Sequence, residues 1–418
     1  MSHEDILGLP TLEPYGMGYK ITWDDGVEIT MDSLNTKSDF NVEAEIVIKD
    51  KQQLSQHLMG PIRTAITKAM STLIRELEKD AEGRNWSGRL KQATYHVLEE
   101  YRKGEPIMKL DKKSAPDRPP ERITGIAYEG MPTLIYGDGG MGKSTLAVAL
   151  GTLVQAGQPL GQSFNVVKGN VLVLDYEASW EETWRRSNDV VAGMALDRQA
   201  MVHYRFCSAP LASEVEHLRA EIRAKDIDMV IVDSAGPACG GEPENAQACL
   251  QYFSALRSLG TTDHPITTIT LAHITKSGGS KSGPFGSVYW TNLPRTTFEL
   301  KKAQKRGENY IDTALHHRKT NIGVLREPVG LRMTWNNGIT LEAFNVTDHA
   351  VLAEDLGYGE RAYRVLEKEL KSMSVKDIAE YLGIDNSQTE KLAQKLATDD
   401  RFEQDTDGNW AINANLRF

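Results

Sequence analysis

The spacing of apolar side chains changes several times along the chain, and each change marks a different kind of element. From about residue 8 to 48 polar and apolar positions alternate, most clearly in Val42-Glu43-Ala44-Glu45-Ile46-Val47-Ile48, where every second side chain would share one face. A period of two marks a half-buried strand, so this stretch predicts a small β-unit. From 52 to 102 the interval lengthens: Leu58, Ile62, Ile66, Met70, Leu73 and Leu77 recur at helical spacing, and a second helix follows near 90–101. A stretch rich in Lys, Asp and Pro, 103–121, reads as a linker.

From 123 to about 345 short apolar runs alternate with amphipathic segments. Strands are predicted at 133–136, 171–176, 203–207, 229–233 and 266–273, and helices at 144–155, 180–193, 212–224 and 244–259. Such alternation predicts an α/β fold with a mainly parallel sheet. After residue 273 the segments 296–302, 310–318 and 331–335 all look like strands, which suggests an antiparallel extension. Beyond 359 three short helices, 361–370, 375–382 and 388–396, precede a hairpin from 402 to 412 turned at Asp407-Gly408. Three helices and a hairpin describe a winged helix. The predicted division is an N-terminal α+β assembly or docking domain over 1–110, an α/β domain over 122–346 and a winged helix over 358–418.

Composition narrows the setting. A chain of 418 residues is too long for one ordinary core. The formal net charge of −10 argues against a protein that simply coats a polyanion. Cys207, Cys239 and Cys249 are few, odd in number and not spaced as metal pairs, which suits a reducing cytosol. The first residues lack a basic n-region and an apolar h-region, and no apolar run is long enough to span a bilayer. The expectation is a soluble, cytoplasmic protein without a membrane partner.

Gly137-Asp138-Gly139-Gly140-Met141-Gly142-Lys143-Ser144 fits the P-loop pattern G-x-x-x-x-G-K-[ST], between an apolar strand and a helix that Thr145 continues. Backbone N–H groups of such a loop wrap phosphates, and the helix N-terminus adds its positive dipole end. Lys143 would reach the β- and γ-phosphates of ATP, and the Ser144 hydroxyl would hold Mg²⁺. Met229-Val230-Ile231-Val232-Asp233 is an apolar strand ending in an acid, the form of a Walker B strand, with Asp233 binding Mg²⁺ through water or through Ser144, or else capping a helix. Ser234 stands where many motor ATPases carry a catalytic glutamate, so the base must lie elsewhere. Glu177, just past the strand 171–176, would face the ligand crevice and orient the attacking water. Asp175 competes for that role, and Glu177 could instead support the start of the helix near Trp180.

A P-loop, an acid at the end of the following strand and a Walker B strand without its own glutamate together resemble the RecA-like ATPases. More narrowly, Leu172-Val173-Leu174-Asp175-Tyr176-Glu177-Ala178-Ser179, with Arg185 and Arg186 in the helix after it, is similar to the RepA-type branch of plasmid, phage and mobile-element helicases. The resemblance covers about 123–345 and implies further roles. His273, ending the uncharged strand 266–272, would sense the γ-phosphate, or else be a structural histidine. The loop from Lys276 to Phe285 would line a single-stranded DNA path, with Lys276 and Lys281 on phosphates and Phe285 on a base, or else be a solvated linker or lid. Arg318 or Lys319, with Arg295 as a second candidate, would complete a neighbouring subunit's site as an arginine finger does. That role needs a ring or filament, a hexamer being one such form.

The resemblance implies an oligomeric ATPase moving on DNA, most like a phage or plasmid replicative helicase, with other replication proteins as partners. The alternative is an ATP-gated regulatory, defence or replication-assembly protein without unwinding activity. Charge gives the C-terminal module no clear DNA preference. Lys391 and Lys395 on the would-be recognition helix face Glu390, Asp399 and Asp400, so DNA contact and protein docking both remain open for it.

Overall fold

The computed structural model describes residues 8–15, 18–36, 41–49, 55–62, 67–80, 84–104, 107, 109, 119–161, 164–261, 264–274, 283–346, 349, 351–353 and 356–413. The chain separates into two compact units, one of residues 1–117 with 214–224 and the other of 118–213 with 225–418.

The first unit opens with five strands in an antiparallel meander: β1 (Thr11–Tyr15), β2 (Gly18–Thr22), β3 (Glu28–Thr36), β4 (Val42–Lys49) and β5 (Ser55–Ile62). The alternation read in β4 is real: Val42, Ala44, Ile46 and Ile48 are buried and the residues between them are not. Helices α1 (Lys68–Asp80) and α2 (Trp86–Lys103) supply Met70, Leu73, Leu77, Trp86, Leu90 and Val97 to the same core. The Asn85 side chain caps α2 by accepting from the Gly88 N–H at 2.8 Å, satisfying a donor that no earlier turn can reach.

One sequence expectation fails here. Leu58 and Ile62 lie on β5, not on a helix, with Leu58 opposite Ile46 of β4. A spacing of four fits a strand, where it is two repeats, as well as a helix, where it is just over one turn. Gly60 and Pro61 between them disfavour the helix. Ile66 falls outside the described residues, whereas Met70, Leu73 and Leu77 are on α1 as expected.

The second unit runs through β6 (Glu121–Ile123), β7 (Ala127–Tyr128), β8 (Pro132–Gly137), α3 (Lys143–Ala156), β9 (Asn170–Asp175), α4 (Trp180–Gly193) and β10 (His203–Phe206). Helix α5 (Leu211–Ala224), whose residues from 214 on belong to the first unit, precedes β11 (Ile227–Asp233) in the chain, and α6 (Ala235–Ala238), α7 (Ala246–Ser258), β12 (Thr267–His273), α8 (Tyr289–Asn292) and β13 (Thr296–Ala303) follow. Strands β14 (Tyr310–Thr320), β15 (Val329–Trp335) and β16 (Ile339–Phe344) complete a nine-stranded sheet of order β10-β9-β11-β12-β8-β13-β14-β15-β16. The pairings are parallel from β10 to β13 and antiparallel from β13 to β16, so both the mainly parallel sheet and its antiparallel extension are as the sequence indicates.

Helix α3 is apolar almost all round, from Leu146 through Val154, because it is enclosed. Sheet residues Ile135, Val171, Val173, Ile231 and Ile269 join it in one core, together with Ile339 and Leu341 of β16. Three further helices, α9 (Tyr358–Glu369), α10 (Val375–Tyr381) and α11 (Asn386–Thr398), and the hairpin of β17 (Phe402–Gln404) and β18 (Trp410–Ile412) close the chain around their own apolar cluster.

Candidate functional site

Four adjacent strands, β9, β11, β12 and β8, run parallel and end together, and the sequence-predicted residues sit at those ends. Asp233 stands opposite Asp175, and His273 opposite Gly137. The strand of the P-loop and the strand of Asp233 are therefore separated by β12, which carries His273 between them.

The loop after β8 has the backbone that phosphate binding requires. Gly140 and Gly142 adopt φ of +73° and +87°, left-handed values that L side chains avoid. Gly137 is needed for another reason: a Cβ there would lie 2.9 Å from the Leu300 carbonyl of β13. Lys143, the first residue of α3, is buried and donates its Nζ to the Gly137 carbonyl at 2.9 Å and to the Asp138 carbonyl at 2.8 Å. Burial pushes its ammonium below the usual lysine range, opposed by the charges of Asp233, Glu177 and Asp138. An ammonium resting on carbonyls in a cradle of N–H donors fits an anionic phosphate group well.

Asp233 ends β11 with its carboxyl almost buried. Burial raises its pKa, the Ser144 hydroxyl bonded to it lowers it, and the charges of Glu177 and Asp175 raise it further. A hydroxyl and a carboxylate meeting in this way are the hard oxygen donors that Mg²⁺ selects, and a divalent cation would relieve the buried charge. Residues 143, 144 and 233 thus fit a nucleotide with its metal.

Glu177 and Asp175 have separated environments. Asp175 is buried and fully engaged: its carboxylate accepts from the Glu177 and Ala178 N–H groups at 3.0 and 2.8 Å and from the Thr183 hydroxyl at 3.0 Å. It shapes the turn into α4, whose N-cap is Ser179. Glu177 instead projects into the crevice, half exposed, accepts from the Ser234 hydroxyl and lies 3.9 Å from His273 Nε2. Sequence reasoning noted Ser234 only as a missing glutamate. It also missed that this hydroxyl would hold the displaced carboxylate. Arg186, paired with Glu182, lies close enough to Asp233 to favour its charged form.

The structure does not bring the two finger candidates to this cluster. Thr320 is opposite Thr296, and Thr296 is opposite Thr133. Lys319 is opposite Thr297, itself opposite Leu134, three residue steps or ~10 Å along β8 from Gly137, and Arg318 is bulged beside it. Arg318 donates from Nε to Glu299 at 2.8 Å. Lys319 bonds the Asn292 and Pro294 carbonyls, and burial and Arg295 lower its pKa. Of the DNA-loop residues, Lys276 and Lys281 lie outside the described residues. Phe285 is part-exposed, and its N–H donates to the His273 carbonyl at 2.7 Å.

Residues 104–279 match the family model described as "AAA domain". No curated protein matches the chain. Among solved structures the chain is similar to a KaiC-like protein from the hyperthermophilic archaeon Pyrococcus horikoshii OT3. The two are 14% identical over 55% of this chain and 100% of that one, with a TM-score of 0.39. The family match covers less than half of the chain and agrees with the mainly parallel α/β sheet and the P-loop geometry described above. Among the described residues no helix is long and apolar enough to cross a membrane.

Proposed function

We propose that the chain hydrolyses ATP as a RecA-like, oligomeric motor acting on single-stranded DNA, in the manner of a RepA-type helicase. The observation that carries the ATPase reading is the convergence of Lys143, Ser144, Asp233, Glu177 and His273 at the ends of adjacent strands. Lys143 would leave its two carbonyls for the β- and γ-phosphates, and Ser144 and Asp233 would hold Mg²⁺. When bound, that metal neutralises phosphate charge as the γ-phosphoryl transfers to water. Glu177, kept in place by Ser234, would orient that water as general base. His273 would sense the γ-phosphate from beside Glu177.

The DNA reading is supported by the position of the loop beyond His273. Its two ends are tied together, Ile274 bridging to Pro284 and the Phe285 N–H bonding the His273 carbonyl, so a shift of His273 would reach the loop base directly. Completion of the site by a neighbour's Arg318 or Lys319, and DNA or protein docking by a C-terminal winged helix, belong to the same proposal.

ATP turnover with and without single-stranded DNA tests both levels, on wild type, Lys143→Ala and Glu177→Gln. Each substitution is expected to slow hydrolysis by about 10²-fold or more, with Glu177→Gln still binding nucleotide. A wild-type rate in Glu177→Gln removes it as the base. Stimulation by DNA at low salt supports the motor. Its absence leaves the ATP-gated regulatory or assembly protein as the better reading.

A further inference from the structure

Strand β13 does more than flank β8. Its pairing with β8 stops at Glu299 opposite Tyr136, yet its backbone continues beside the phosphate loop, bringing the Leu300 carbonyl up against Gly137. Two residues later Lys302 donates its Nζ to the Gly140 carbonyl at 2.8 Å, a contact across 162 positions of sequence. Gly140 is one of the two loop glycines with positive φ.

A loop that turns its N–H groups toward an anion turns its carbonyls away from it. The Gly140 carbonyl and the Met141 N–H belong to one planar peptide and point in opposite directions. An ammonium that fixes the carbonyl on the outside therefore aims the N–H to the inside.

We propose that Lys302 is a positioning residue for nucleotide phosphates. It holds the Gly140–Met141 peptide in its binding orientation before nucleotide arrives and contributes a positive charge at the rim of the loop. Preorganisation of this kind raises affinity by reducing the ordering that binding must accomplish. The proposal rests on reading the loop as a nucleotide site. Lys301, one position earlier, extends to the other face of the strand and provides a charge-matched control.

The test is equilibrium binding of a fluorescent ADP analogue, without metal, to full-length wild type, Lys302→Met, Lys302→Arg, Lys301→Met and Lys143→Ala. Lys302→Met is expected to weaken binding roughly tenfold, with Lys302→Arg recovering most of the loss. Wild-type affinity in Lys302→Met overturns the proposal, as does an equal loss in Lys301→Met, which would reduce the effect to net charge. If Lys143→Ala also binds like wild type, the nucleotide-site reading itself fails. If Lys143→Ala loses binding and Lys302→Met does not, only the role of Lys302 fails.

Discussion

Asp233 is where stability and chemistry pull apart at the scale of one side chain. Burial holds its pKa above the ordinary carboxylate value, even though the Ser144 hydroxyl favours the charged form. A raised folded-state pKa means that the folded protein binds the proton more tightly than the unfolded chain. The group's contribution is therefore greatest below the unfolded pKa and is lost as pH rises through the folded one. At neutral pH the ionised carboxylate works against folding until a cation joins it. Asp233→Asn keeps the shape and the bond to Ser144 but removes the charge. It is expected to raise the melting temperature of the nucleotide-free protein at pH 7 by about 1–3 °C while lowering Mg²⁺-dependent hydrolysis at least ~10-fold. Thermal unfolding with and without Mg²⁺·ADP measures the first effect, and a lower melting temperature for the variant would remove Asp233 as a strained acid. Glu177 shows the complementary arrangement, with half-exposure leaving its carboxylate reachable and the Ser234 hydroxyl fixing its direction.

Elements whose evidence is local were legible in the sequence, and contacts that depend on strand order were not. The P-loop could be read because its strand, loop and helix start are consecutive residues, and β8, β9, β11 and β12 lie within a residue or two of the expected bounds. Nothing in spacing says that β12 lies between β8 and β11, or that β13 lies on the other side of β8. The bonds from Ser234 to Glu177 and from Lys302 to Gly140 were therefore invisible. Strand β16 escaped notice because two buried residues, Ile339 and Leu341, are too few to establish a period. In the C-terminal segment the three helices and hairpin were legible, as was the balance of charge, and that balance has a structural use. Arg401 and Lys395 both bond the Asp399 carboxylate, with Arg401 the larger influence, and hold it well below the usual carboxylate range. A depressed folded-state pKa gives stability that is fully present above the unfolded value and is lost as pH falls through the folded one. Asp399→Asn should therefore lower stability by about 1 kcal/mol at pH 7, with the difference narrower at about pH 3 and closing only below the folded-state value. Denaturant unfolding of both proteins at the two pH values decides it, and a gap of equal size at both would show that the ion pair is not the cause.

At the scale of the whole molecule, the direction of β14 bears on whether one copy can be a complete enzyme. Lys319 is level with Leu134 in the first half of β8 and Arg318 is bulged beside it, tied to Glu299, whereas the phosphate loop follows the end of that strand. Within its own chain Arg318 is held by Glu299 and Lys319 by two carbonyls, so the proposed action of either in hydrolysis is on another copy. Association of one surface with a different surface of the next copy is heterologous and generates a ring or a filament. Val324 and Leu325, exposed in the loop just after β14, would lie along such a contact. On joining, Arg318 would exchange Glu299, and Lys319 its two carbonyls, for the neighbour's nucleotide. The decisive experiment mixes two defective proteins, Lys143→Ala and the double variant Arg318→Ala, Lys319→Ala. Each alone should be inactive, the first lacking a working loop and the second lacking the donated charge, whose loss costs about 10³-fold or more in related chemistry. In a random mixture a good loop from one protein meets a good donor from the other at about one interface in four, so activity should return to roughly a quarter of wild type. Sedimentation with ATP checks that the mixture assembles. An assembled mixture as inactive as its parts, or a double variant that hydrolyses ATP at the wild-type rate by itself, would rule out a shared site and leave the P-loop cluster to work within one chain.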